Sequence, residues 1–529
     1  MQSAHSLAAA KRLEVGRPAF SRPLLLKAKS RIDYFLMKRR SLLIPLCLLL
    51  CGCKEPVFSQ SPIDPSFEPV QGEGYYRPSS FLSIDTASGE IDVSSRQKAV
   101  ELSSTSADKK YAIPSTGKVP LLVIPVGFSG SGEVDVGAIE DAFFGGEGST
   151  SYYSVAEYYY LSSGKRLSLY GYVCDRFYPC RYDLEHLSGL NGGTACKNAL
   201  SAIYVDAMSW VEENYPDYYQ AMGEFYGEDP IPAYFLYDAP YSGMDGGMAD
   251  RSSMLWAFSI NSPAPVSWSS LYMMGDSIDP HTYIHETGHL LGLSDYYDTV
   301  DSSFLHSPLG RMDMMDCSLG DHNAFSKMLL GWGMPFVATS SCEITIHQSE
   351  LNNEMILLSP DWNGTPYDEY VLLELYTPSL LNADDAYSGR SDGARLFGRP
   401  GIKAYRVDAR LGAYENNKLL GEVGPNMVTD GKSIDYLNDN SLSSPYLIQL
   451  LDKESGSATL PSYYVAGDSP KDFDEGGRAM HQSESLFYEG DGIGGSAFSD
   501  LSFSYGEFPI SFEVASLTST TATIQIEFK

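Results

Sequence analysis

The stretch that most constrains this chain is residues 285–295, HETGHLLGLSD. Positions i and i+4 of a helix share one face, so His285 and His289 can hold a single metal ion. Glu286, beside the first histidine, can then address a water rather than the metal. Local signals predict the helix itself. Asp279 is placed to cap it, Pro280 suits its first turn, and Gly292 can end it in a left-handed conformation. The chain can then turn back and bring Asp295 to the metal as a third ligand. A surface helix with two incidental histidines is the competing reading. It leaves the caps and the fixed offsets of Gly292 and Asp295 unexplained.

Two imidazoles and a carboxylate suit zinc, with a fourth position left for water, whose pKa falls to about 7 in such sites. Glu286 is the expected general base, taking a proton from that water and passing it to a leaving amine. The expected chemistry is hydrolysis of a peptide bond. A carboxylate as third ligand should hold the metal tightly at some cost in Lewis acidity.

The net charge of −31 is unevenly spread. Residues 1–53 hold ten Lys/Arg and two Asp/Glu, which leaves 27 basic against 66 acidic residues beyond them, a net of −39. Such a body repels nucleic acid and anionic head groups, so those partners are not expected. The positive charge precedes a short apolar run within Met37–Cys53, MKRRSLLIPLCLLLCGC. That run is too short for a comfortable membrane span and has the form of a signal-peptide core. Its end, Leu50-Cys51-Gly52-Cys53, resembles a bacterial lipoprotein cleavage box, with Cys53 as the lipidated residue. Residues 1–36 read as upstream read-through, and the body is expected outside the cytoplasm, anchored to a membrane on the cell surface or periplasmic side. In that compartment Cys174 with Cys180 or Cys196, and Cys317 with Cys342, are disulfide candidates.

Residues 54–115 are polar and weakly patterned, and read as a tether or short prosegment. Residues 116–335 alternate strand-like and helical patterns. They include a buried strand from Val119, a helix at Val136–Phe144, and a capping box at Ser154 and Glu157 that opens another. A strand at Leu167–Val173 and a helix at Ala199–Tyr215 follow, then strands at Ile231–Tyr237 and Met254–Ile260. This order predicts an α/β (α+β) catalytic domain. Residues 336–529 carry short β-type runs between turn residues, which predicts a β-rich region of sandwich type.

Downstream of the histidines, Gly310-Arg311-Met312-Asp313-Met314-Met315-Asp316 is a compact turn with three methionines. Here the sequence resembles the metzincin-type zinc peptidases and, more narrowly, the immune inhibitor A family of secreted bacterial metallopeptidases, which uses HExxHxxGxxD. The resemblance extends over roughly residues 118–410. It includes SVAEYYYLSSGKRLSLYG from Ser154, NAFSKMLLGW from Asn323, and the runs Glu369–Glu374 and Pro400–Asp408. It implies a metzincin-like domain in which His285, His289 and Asp295 bind zinc, Glu286 is catalytic and Met315 lies beneath the metal. The chain departs from the pattern at Arg311-Met312, where an aromatic commonly precedes the aspartate, and in its lipoprotein-type segment.

Protein or peptide substrates and a monomeric enzyme are expected. Asp298, Asp301 and the acidic loop 383–393 are candidates for calcium, a cation that prefers oxygen ligands. His281 and His322 are further candidates for the neighbourhood of the site. A reading of another class makes the chain a non-catalytic surface lipoprotein that binds a partner or glycan through its β-rich region.

Overall fold

The apolar run beginning at Val119 forms β1 (Gly117–Gly127), buried from Val119 onward. The computed structural model describes residues 60–84, 91–92, 112–240, 253–272, 278–297, 308–387, 396–423, 432–440, 446–451, 485–494 and 503–529, apart from positions 65, 311, 417 and 505. Residues 37–53, read as a signal segment ending at Cys53, and Asp298 and Asp301, lie outside these residues. Residues 55–529 belong to one compact unit. Among the described residues no helix is long and apolar enough to cross a membrane.

In chain order β1 is followed by α1 (Val136–Phe144), α2 (Val155–Ser162), β2 (Leu167–Val173), α3 (Gly193–Asn214), α4 (Pro216–Tyr226), β3 (Ala233–Pro240), β4 (Phe258–Ile260), β5 (Val266–Tyr272) and α5 (Pro280–Leu290). The strands form a sheet in the order β2–β1–β3–β5–β4, parallel except for β4, which is antiparallel on one edge. Two prolines sit inside β1 although neither can donate to a ladder. The register shows why they are tolerated. Pro120 lies before the stretch paired with β3, and its carbonyl accepts from Tyr226 Oη at 2.8 Å instead. Pro125 lies beyond the stretch paired with β2.

Alternate residues of β1 feed two cores. Val119, Leu121 and Val123 pack with the apolar faces of α1, α2 and α5. Leu122, Ile124 and Val126 pack with Leu200, Ile203, Ala207 and Val211 of α3 and Met222 of α4. Helices therefore cover both faces of a largely parallel sheet, as its doubly apolar strand requires.

A short helix, α6 (Ala324–Leu329), precedes the β-rich region. Its strands are β6 (Phe336–Ala338), β7 (Cys342–His347), β8 (Ile356–Leu358), β9 (Glu369–Tyr376), β10 (Gly401–Asp408), β11 (Leu411–Glu415), β12 (Lys418–Glu422), β13 (Ser433–Tyr436), β14 (Ile448–Leu450), β15 (Gly492–Ile493), β16 (Ile510–Leu517) and β17 (Thr521–Phe528). They form three sheets: one continues β6–β8–β9–β10–β14, another is β7–β17–β16–β15, and the third is β12–β11–β13. The first two share a core that includes Ile344, Ile356, Leu373, Ile402, Ile510 and Ile524. The chain is thus a mixed α and β protein with several sheets, as the patterning predicts.

Two expectations change. Within the segment read as a tether, Val70–Gln71 and Tyr75–Arg77 form strands, and the second pairs with β6. Their ladder partner lies some 260 positions along the chain, so no local periodicity signals it. Cys174, Cys180 and Cys342 carry thiols, not disulfides. Cys174 is buried in the apolar layer under α3, and burial pushes its thiol pKa up. Cys342 opens β7 opposite Ile526. These residues pack as small apolar side chains.

Candidate metal centre

The metal-helix expectation translates into α5 almost unaltered. Asp279 Oδ1 accepts from His281 N at 3.0 Å, and Pro280 is the first helical residue. The helix ends as expected, because Gly292 has φ +98°, a region that disfavours other residues. Gly292 N donates to His289 O at 3.0 Å and Leu293 N to Gly288 O at 3.0 Å. This reversal carries the chain to Asp295.

Asp295 Oδ1 then stands 3.1 Å from His285 Nε2 and 3.2 Å from His289 Nε2. The other ring nitrogens are committed elsewhere. His285 Nδ1 lies 2.7 Å from Met314 O and His289 Nδ1 lies 2.8 Å from Leu293 O. A carbonyl only accepts, so each Nδ1 carries the proton and each Nε2 of the neutral rings presents a lone pair. Two imidazole lone pairs and a carboxylate oxygen therefore lie close together, an arrangement that a cation would satisfy. Tetrahedral zinc with ligands near 2.0–2.1 Å separates neighbouring donor atoms by about 3.3 Å, close to the spacing here. The residues fit zinc.

The Asp295 carboxylate draws positive charge, a proton or a metal ion, to this point. Burial pulls the His289 imidazole down, but the neighbouring Asp295 carboxylate outweighs it and raises its pKa to about 9. Burial works against the Asp295 carboxylate as well. The two histidines overcome it and hold Asp295 well below the usual carboxylate range.

Glu286 also has an oxygen within 4.8 Å of a ring nitrogen of each of the two histidines. Its contacts separate it from Asp295: Glu286 Oε2 accepts from Ser259 Oγ at 2.7 Å, and Ser259 sits on the edge strand β4. Burial raises the Glu286 pKa, while His289, His285 and the Ser259 hydroxyl oppose the rise. A buried carboxylate held beside the convergent donors suits a base better than a ligand.

The floor of the site is a stack of close contacts. Met315 is fully buried, and a methyl group added at Gly288 would stand 2.4 Å from its sulfur. Tyr159 Oη, from the SVAEYYY run, donates to Ile284 O at 2.7 Å beneath the same helix. The turn that holds Met315 is capped by Asp313, whose Oδ1 accepts from Met315 N at 2.8 Å. Met315 O in turn accepts from Tyr296 N at 2.9 Å, next to Asp295. The NAFSKMLLGW run contributes Ser326, whose Oγ shares a 2.8 Å hydrogen bond with Tyr296 Oη.

Above the site is a cleft of about 720 Å³. Glu286, His289, Asp295 and Tyr297 line it, with Trp256–Ser262 on one side and Asp435–Asn440 of the β-rich region on another. His281 and His322 stay out of it. His281 pairs with Asp279 at 2.7 Å and Asp385 at 3.4 Å and stacks on Tyr152. His322 is buried against Tyr158, Tyr159 and Trp332, and burial lowers its pKa well below the usual value. The acidic stretch expected as a loop opens as a helix, Ala383–Tyr387, in which Asp385 accepts from Gly320 N at 2.7 Å as well as pairing with His281, so it is engaged within the protein. Residues 388–393 of that stretch lie outside the described residues.

Ser259, Gly288 and Asn440 were not singled out by the sequence reading. The small residue inside HETGH was the one available signal for Gly288. Compared with known proteins, the chain matches no family model and no curated protein.

Proposed function

We propose that this chain is a zinc-dependent endopeptidase of metzincin-like, immune inhibitor A type, exported as a membrane-anchored lipoprotein and acting on proteins outside the cytoplasm. The observation that carries the reading is the convergence of His285 Nε2, His289 Nε2 and Asp295 Oδ1, with both Nδ1 protons committed to carbonyls. These three residues would hold the ion. Zinc bound there supplies a Lewis acid that makes water nucleophilic near neutral pH and polarises a carbonyl.

The chain's own groups do the rest. Ser259 holds Glu286 Oε2, leaving Oε1 as the oxygen that takes the proton of the attacking water. As the new C–O bond forms and the C–N bond breaks, Glu286 returns that proton to the leaving nitrogen. β4 ends its sheet, so one side of it has no strand partner among the described residues. An extended peptide can line up there. Met315 and Tyr159 keep α5 from shifting under the site. The two packed β-sheets downstream fit the sandwich expected of the C-terminal region.

The test compares the chain from Lys54 onward with its Glu286→Ala form on unfolded protein substrates. The reading requires cleavage by the first and its loss in the second. Equal cleavage by both, or none by the unmodified chain with zinc supplied, would overturn it.

A further inference from the structure

We infer that Asn440, in the β-rich region, is a positioning residue for the metal centre, holding in place the loop that carries Asp295. The inference rests on the zinc reading of His285, His289 and Asp295. Two of those ligands are fixed by α5 itself, whereas Asp295 lies five residues past the helix end and depends on how the following chain is tied down.

Tyr296, the next residue, is held at three points. Its N–H donates to Met315 O at 2.9 Å, and its hydroxyl shares a 2.8 Å hydrogen bond with Ser326 Oγ. Its carbonyl accepts from Asn440 Nδ2 at 2.9 Å, across 144 positions of sequence. Asn440 is buried, 4% exposed, and its own orientation is set. Its Oδ1 accepts from Ile448 N at 3.1 Å, the first residue of β14. β14 also ties the far side of the same excursion, since Leu450 N donates to Pro308 O at 2.9 Å. The sheet edge therefore grips the chain both just after Asp295 and at Pro308. The neighbours of Asn440, from Asp435 to Asp439, wall the cleft. On this geometry the β-rich region is part of the metal centre and not an appended binding module. Partners that orient a metal ligand are worth about 10–100-fold in metal affinity.

The experiment measures zinc affinity of the full chain by competition with a chelator. Asn440→Asp keeps the acceptor for Ile448 N but replaces the donor to Tyr296 O with a repelling oxygen. Asn363→Asp is the matched control in the same region: Asn363 Nδ2 donates to Tyr367 O at 3.0 Å and its Oδ1 accepts from Thr365 N at 2.9 Å, with no hydrogen bond to the Asp295 loop among the described residues. The expected result is a fall of about 10–100-fold for Asn440→Asp and the unmodified affinity for Asn363→Asp. Asn440→Ala, which adds no charge, is read in the same assay and is expected to fall likewise should Asn440→Asp not fold. Unchanged affinity in the Asn440 variants, or an equal loss in the control, overturns the inference while leaving the zinc reading intact. No zinc bound by the unmodified chain overturns both.

Discussion

Gly288 faces the thioether of Met315 so closely that a methyl group added at Gly288 would stand 2.4 Å from the sulfur and 3.3 Å from Tyr159 Oη. The helix α5 thus rests on a methionine through a gap only glycine provides. Gly288→Ala is expected to destabilise the chain by about 1–3 kcal/mol through overpacking. Met315→Leu, similar in volume, should cost less than about 1.5 kcal/mol. Denaturant melts of the three proteins check this. A Gly288→Ala protein as stable as the parent would show that Met315 has room to move aside.

Ser259 Oγ lies 2.7 Å from Glu286 Oε2 and 2.7 Å from Ser267 Oγ, which makes it the link between the candidate base and the edge strand. Hydrogen bonds to charged groups are worth about 1.5–3 kcal/mol. Ser259→Ala should therefore lower kcat by roughly tenfold or more, with zinc content unchanged. Glu286→Gln, which removes the base, should lose about 10²–10⁴-fold. Steady-state kinetics beside metal analysis distinguish the two. A Ser259→Ala protein with unaltered kcat would show that Glu286 needs no such support.

The helix, its caps and its reversal were legible because their causes are local. Asp279, Pro280 and Gly292 act within one turn of themselves, and a four-residue spacing is enough to put two histidines on one face. The same holds for the helix Val136–Phe144, whose bounds agree with the expectation. What escaped was set by partners distant in sequence. Nothing near Ser259 announces Glu286, nothing near Asn440 announces Tyr296, and Tyr75–Arg77 becomes a strand through β6. The thiols of Cys174, Cys180 and Cys342 have the same cause, since pairing depends on separations that spacing along the chain does not fix.

His281 gives a pH dependence separate from the metal. Burial pulls its pKa down, but the Asp279 and Asp385 carboxylates prevail and raise it to about 9, against an ordinary value of 6.5. A histidine raised in the folded state contributes stability fully below its unfolded pKa, and the contribution fades as pH rises through the folded value. The stability gap between the parent and His281→Gln should be on the order of 3 kcal/mol wider at pH 6 than above pH 9, and should close between pH 6.5 and 9. Urea melts across that range check it. A gap that widens with pH would contradict the assignment.

On the proposed reading, two histidines and Asp295 hold one zinc ion with Glu286 outside the coordination shell. Elemental analysis of the purified chain from Lys54 onward, after dialysis against trace zinc, tests it most directly. About one zinc per chain is expected, retained in Glu286→Ala and lost in His289→Ala and Asp295→Ala. A chain that binds no zinc, or that keeps it without Asp295 and loses it without Glu286, would contradict the account.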